Sequence, residues 1–221
     1  DGGDVSKLSQ GLGEVYEILN MDMKPYPCCR SAHCAIDGIL EIREQMEARM
    51  GLKIRNMSEA EILADQIQAI GIDTYLVGYK QCAVSDGCLH PKTILDAKFS
   101  TPYSVAAAFL CGTVGMEQFE PEVVFDPVVQ KLLEKVTVHP ADRFTEQYPK
   151  HWGCHVKVTM QDGTVYEAEV EDPSGSVARP LSREQAMKKA EEFLSVVCPG
   201  RETETIEELL NLESRNMLPS I

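Results

Sequence analysis

The run Lys24-Pro25-Tyr26-Pro27-Cys28-Cys29-Arg30-Ser31-Ala32-His33-Cys34-Ala35-Ile36-Asp37 gathers three groups that can carry positive charge, Lys24, Arg30 and His33, in an otherwise acidic protein. Such a grouping can catch a carboxylate. His33 and Asp37 stand four residues apart. On a helix they share a face, and the carboxylate can orient the imidazole or stabilise its protonated form. A plainer reading has Lys24 as a solvated strand end, His33 as a surface histidine, and Cys28 and Cys29 as small core residues.

Two elements must position these groups. Residues 18–24 alternate, with Leu19, Met21 and Met23 on one face and Asn20, Asp22 and Lys24 on the other, which predicts a strand. Residues 32–50 carry Ala35, Ile39, Ile42 and Met46 at helical spacing, widened by Ile36 and Leu40, with Ser31 as the N-cap. Pro25 and Pro27 stiffen the connection, and the N–H groups at the helix start add partial positive charge to that of Lys24 and Arg30. A strand over 66–77 would set Ile70, Ile72, Thr74 and Leu76 on one face and Asp73 and Tyr75 on the other. If the two strands are neighbours, Tyr75 could donate a hydrogen bond into the Lys24 pocket; the alternative is that it simply packs.

The remaining segments read as framework. Residues 1–17 are a Gly-rich linker or short helix, and a short helix near Ser58 follows the long one. Residues 78–97 are a long connection, suited to a lid or a crossing arm. Ser100 caps an apolar helix that Gly112 stops, a helix spans about 126–135, and Val136 opens a strand. Residues 155–171 form a hairpin in which the Asp162-Gly163 pair supplies positive φ angles. After a loop over 173–180, Ser182 and Gln185 make a capping box for a helix carrying Ala186, Ala190, Phe193 and Val197, and a last helix near 205–212 carries Ile206, Leu209 and Leu210. Those two apolar stripes call for a covering surface.

The totals narrow the function. A chain of 221 residues with 43% hydrophobic content can bury a real core, and a formal net charge of −14 argues against a nucleic-acid backbone or an anionic membrane surface as partner. No apolar run is long enough to span a bilayer and no signal-peptide pattern opens the chain, so the expected compartment is the cytosol. The eight cysteines lack the spacing of a secreted disulfide scaffold and read as reduced thiols. Neither Cys82, Cys88 and His90 nor His151, Cys154 and His155 has the paired spacing of a structural zinc site, so no metal is expected. The absence of a Walker loop, a dinucleotide fingerprint and a Gly-x-Ser-x-Gly elbow removes the usual support for nucleotide cofactors and serine-hydrolase chemistry.

Taken in order, the Lys24–Asp37 run, His90-Pro91-Lys92, Ala97-Lys98-Phe99-Ser100-Thr101-Pro102-Tyr103, Asp162-Gly163, and Pro173-Ser174-Gly175-Ser176 with Pro180-Leu181-Ser182 resemble the MmgE/PrpD family over about residue 18 to the C-terminus. That family includes 2-methylcitrate dehydratase, cis-aconitate decarboxylase and iminodisuccinate epimerase. The resemblance implies an α+β lid domain with an antiparallel sheet over 18–180, and C-terminal helices over 181–221 that pack on an all-helical N-terminal half. With an Asp at its start, the chain reads as the C-terminal half of a longer protein, inactive alone. The implied function is cofactor-independent lyase chemistry on small di- or tricarboxylates, as a 2-methylcitrate-dehydratase-like hydro-lyase in a homodimer. An epimerase of the same family and a non-catalytic interaction subunit are the alternatives. By position, Lys24 resembles the family's active-site lysine and Tyr75 a lid tyrosine, and His33 matches a histidine of many relatives. Arg30, Cys29 and Asp37 are expected to bind or orient substrate. Cys29 stands where the decarboxylase branch has a catalytic histidine, which counts against carrying decarboxylation over directly.

Overall fold

The computed structural model of the chain describes residues 3–212. It divides into two compact units, one formed by Tyr26–Ser174 and the other by the residues up to Pro25 together with those from Gly175 onward.

The larger unit is α+β. It opens with a short 3-10 turn, Arg30–Ala32, that runs into α1, His33–Met50. Helix α2 (Met57–Gln66) leads directly into strand β1 (Ile67–Thr74). Short helices α3 (Leu76–Cys82), α4 (Asp86–Leu89) and α5 (Ile94–Lys98) precede the buried helix α6 (Thr101–Cys111). Helices α7 (Pro121–Val124) and α8 (Pro127–Leu133), strand β2 (Val136–Pro140), helix α9 (Asp142–Gln147) and the hairpin β3 (Cys154–Met160) and β4 (Val165–Val170) complete it. The sheet order is β2-β1-β3-β4. As expected, β1, β3 and β4 are antiparallel neighbours; β2 adds a parallel edge, because helices rather than a tight turn connect it to β1.

Helix α1 lies against β3 and β4 so closely that a Cβ on Gly38 would come within 2.8 Å of Val156 Cγ2. Its Ile36, Ile39, Ile42 and Met46 form one core with Ile70 and Ile72 of β1, Val156 and Val158 of β3, and the run Val105–Leu110 of α6. Arg43 is buried within this helix layer but fully used, donating to the carbonyls of Phe109 (2.5 Å), Leu110 (3.2 Å) and Ile54 (2.9 Å). Gly51 closes α1 at φ +65° and Gly112 closes α6 at φ +72°, the left-handed conformation a helix stop favours.

Several local expectations need correction. The stretch 78–97 is three short helices, not an open connection: Ser85 caps α4, and Thr93 with Asp96 makes a capping box on α5. Helices this short show no apolar periodicity, which is why they were not legible. Ser31 is not the N-cap of α1: it lies inside the preceding turn, and neither Cys29 nor Ala32, the cap residues, caps through its side chain. In the hairpin only Gly163 has positive φ (+83°), so the turn is a tight bend closed by a left-handed glycine, with Asp162 accepting from Thr164 N–H at 2.8 Å.

In the smaller unit, residues 18–24 do not form the expected strand. Glu17–Asn20 is a 3-10 turn and the extended residues after it join no ladder, being tied instead by Met23 N–H to Gly175 O (2.7 Å) and by Asp22 Oδ1 accepting from Val177 N–H (3.0 Å). Alternation alone cannot make a strand without a sheet edge to pair with. Helix α10 (Arg183–Val197) starts at the expected Ser182–Gln185 capping box, and α11 (Glu202–Leu210) packs against it. Phe193, Val196, Val197, Leu209 and Leu210 are exposed. The remainder of the expected C-terminal helical stretch, 213–221, lies outside the described residues.

Candidate functional site

The start of α1 is a buried polar cluster. His33 is fully buried, so it is not a surface histidine, and Arg30 and Asp37 are each 8% exposed. Arg30 Nη1 lies 3.3 Å from His33 Nδ1 and donates to the Ser174 carbonyl at 3.0 Å. A guanidinium has no acceptor, so the Nδ1 facing it must accept, and the ring proton sits on the buried Nε2. His33 Nε2 is thereby an N–H donor, suited to a hydrogen bond with a carboxylate oxygen.

Asp37 is tied to two further residues of the cluster. Its Oδ1 accepts from Tyr26 Oη at 2.6 Å and its Oδ2 from Ser174 N–H at 2.7 Å. The Tyr26 ring meets the imidazole edge-on, centroids 5.1 Å apart at 69°. Asp37 fixes the tyrosine whose ring walls the imidazole, and it fixes Ser174, whose carbonyl accepts from Arg30. Sequence reading missed Tyr26 and Ser174. Tyr26 stood inside the motif between two prolines, whereas a backbone contact at Ser174 leaves no residue-type signal.

Tyr75 does not face this cluster from a strand. Strand β1 ends at Thr74, and Tyr75, fully buried, is the residue from which α3 starts. Its hydroxyl donates to Ser31 Oγ at 2.9 Å, and Ser31 donates on to Gln81 Oε1 at 2.8 Å. Its ring stacks on Tyr148 at 4.7 Å and meets Trp152 edge-on. Burial pushes its phenol well above the ordinary value, so it stays neutral and acts as a support beneath the Arg30–Ala32 turn. Cys29 is half-buried, its N–H donating to Lys98 O at 2.9 Å. A bond to the Cys29 thiol, together with burial, raises Cys82 far above the ordinary thiol range, and burial with a bond to Cys154 does the same for Cys34. The Cys34 and Cys82 thiols are packing groups, not nucleophiles. Lys24 belongs to the smaller unit, where its carbonyl accepts from Lys189 Nζ at 2.5 Å.

Arg30 and the His33 ring thus lie side by side at the start of an 18-residue helix that has no side-chain cap. Residues 26–213 match the MmgE/PrpD C-terminal domain, and the chain belongs to that family. Among curated proteins it is similar to cis-aconitate decarboxylase of Mus musculus, 30% identical over 103 residues that make up 45% of this chain and 20% of that protein. It is also similar to the cis-aconitate decarboxylase-like protein oryM of Aspergillus oryzae, 24% identical over 213 residues, 94% of this chain and 41% of that protein. The chain thus spans less than half the length of either relative. Among the described residues no helix is long and apolar enough to cross a membrane.

Proposed function

We propose that this chain is the carboxylate-binding half of a cofactor-independent lyase that acts on small di- or tricarboxylates, with dehydration of a 2-methylcitrate-like substrate as its reaction. The observation that carries the reading is the buried Arg30–His33 pair at the uncapped start of α1, locked by Tyr26, Asp37 and Ser174. In this mechanism Arg30 and the helix start hold a substrate carboxylate while a base removes the proton from the neighbouring carbon. His33 Nε2–H donates a hydrogen bond to the departing hydroxyl, and an acid of the helical partner half supplies the proton with which it leaves as water. Lys24, at the family's active-site lysine position, is a further residue that turnover of the full-length protein depends on, and the base comes from a helical partner half. The exposed apolar side chains of α10 and α11 support such a partner.

A second reading is favoured by the names of the two curated relatives: loss of carbon dioxide from a cis-aconitate-like substrate. The same cations would steady the carbanion left behind, and an acid of the partner half would protonate it. Incubation of the full-length protein containing this chain with 2-methylcitrate and with cis-aconitate, products followed by NMR, separates the two. Loss of water from the first supports dehydration and loss of carbon dioxide from the second supports decarboxylation; turnover of neither refutes both. Lys24→Ala should lower turnover at least 100-fold in whichever reaction is found, and near-normal turnover would remove Lys24 from the site.

A further inference from the structure

The geometry points to a binding site for one divalent first-row transition-metal ion formed by His151, Asp172 and Glu171, apart from the carboxylate cluster. Their donor atoms all lie within 4.8 Å of one another. His151 Nδ1 stands 2.9 Å from Asp172 Oδ2 and 3.8 Å from Glu171 Oε1. A carboxylate only accepts, so in the absence of a metal Nδ1 carries a proton directed at Asp172. One N–H serves one carboxylate, and 3.8 Å is too long for a hydrogen bond, so Glu171 is drawn to this nitrogen without bonding to it. Two adjacent carboxylates converging on one ring nitrogen repel each other, and a proton answers only one of them.

A metal ion answers both. Ligands that sit about 2.0–2.2 Å from zinc or its neighbours stand about 3–3.5 Å apart, so small side-chain adjustments would bring the three donors onto one ion. The ion would replace the Nδ1 proton, which is released to solvent on binding. One imidazole and two carboxylates suit zinc, cobalt(II) or manganese(II). Glu171 is two-thirds exposed, which leaves room for water to complete the coordination, while His151 and Asp172 are largely buried.

Of the run His151, Cys154 and His155, whose spacing offered no metal site, Cys154 is in the core and His155 lies beside Glu167. The true neighbours of His151 follow the end of β4, across the hairpin. An ion there would tie the segment after α9 to the loop that ends in Ser174, the residue that grips both Arg30 and Asp37. The site therefore acts as a brace on the loop.

The test is an optical titration of the intact chain with Co2+ under reducing conditions. One equivalent should bind without a thiolate charge-transfer band, and both His151→Ala and Glu171→Gln should weaken binding at least 10-fold. Circular dichroism checks that the variants fold. Glu171 is exposed, so if His151→Ala unfolds, Glu171→Gln decides alone. No binding at millimolar Co2+, a thiolate band, or binding that folded variants leave unchanged would overturn the proposal.

Discussion

Replacing Asp37 with Asn tests whether the cluster at the start of α1 is held by charge. Asp37 is 8% exposed and accepts two short bonds, 2.6 Å from Tyr26 Oη and 2.7 Å from Ser174 N–H. Asn offers one acceptor oxygen and one NH2 group. The oxygen must stay on Ser174 N–H, which cannot turn, while Tyr26 can rotate its hydroxyl to accept from the NH2. Two bonds to a charged acceptor, each worth roughly 1.5–3 kcal/mol, become two neutral bonds of roughly 0.5–1.5 kcal/mol. The expected loss is about 2 kcal/mol, and Tyr26→Phe, which removes one bond outright, should cost about 1.5–3 kcal/mol. For a unit of this size that is a fall in Tm of about 4–8 °C. Because both substitutions act on one bond, the double variant should lose about 1 kcal/mol less than their sum. Urea unfolding followed by fluorescence suits the measurement, since Trp152, the one tryptophan, packs against Tyr75 and Tyr148 in the same unit. Losses below about 0.5 kcal/mol for both single variants would refute the reasoning, because that is the range of ordinary surface substitutions.

Gly38→Ala should destabilise by up to about 2 kcal/mol in thermal unfolding: its Cβ would press on the buried Val156, and overpacking of about 1–3 kcal/mol is set against a helix-propensity gain of about 1 kcal/mol. A rise in Tm would show that α1 and β3 have room. The Glu47 carboxyl is held below the ordinary range by Lys53 Nζ (2.7 Å) and by the Ile54 N–H (3.0 Å). Its stabilisation is complete above the unfolded value of about 4.3 and is lost as pH falls through the lower folded value. Urea midpoints measured from about pH 5 downward should therefore fall less steeply in Glu47→Gln than in wild type, and equal slopes would contradict this. Tyr75→Phe should cost about 1 kcal/mol through the lost Ser31 bond and change turnover less than 10-fold. A 100-fold loss of turnover would place its hydroxyl in the chemistry.

What was legible in the sequence had local causes. The span of α1 followed from its apolar spacing and its closing Gly51, the α10 start from Ser182 and Gln185, and the β3–β4 hairpin from alternation around Gly163. The motif also brought Arg30, His33 and Asp37 together correctly. Their wiring was not legible, because Asp37 is satisfied by residues 11 and 137 positions away and one of those contacts is through the backbone. Tyr75 was misplaced because side-chain parity holds only while a strand continues, and β1 stops one residue earlier. The segment 18–24 shows the reverse error, a clean period-two pattern with no neighbouring strand to pair with. The meeting of His151 with Glu171 and Asp172 depends on the hairpin between them, which spacing along the chain cannot express.

The central claim is that His33, fixed as an Nε2–H donor by Arg30, performs chemistry while Cys29 beside it only packs. The direct measurement is kcat/KM of the full-length protein containing this chain, for His33→Gln against Cys29→Ala, on the carboxylate it is found to turn over. The account predicts a loss of about 100-fold or more for His33→Gln, the scale of a positioned hydrogen-bond donor, and less than 10-fold for Cys29→Ala. The reverse order would contradict it and move the working group of the motif to Cys29.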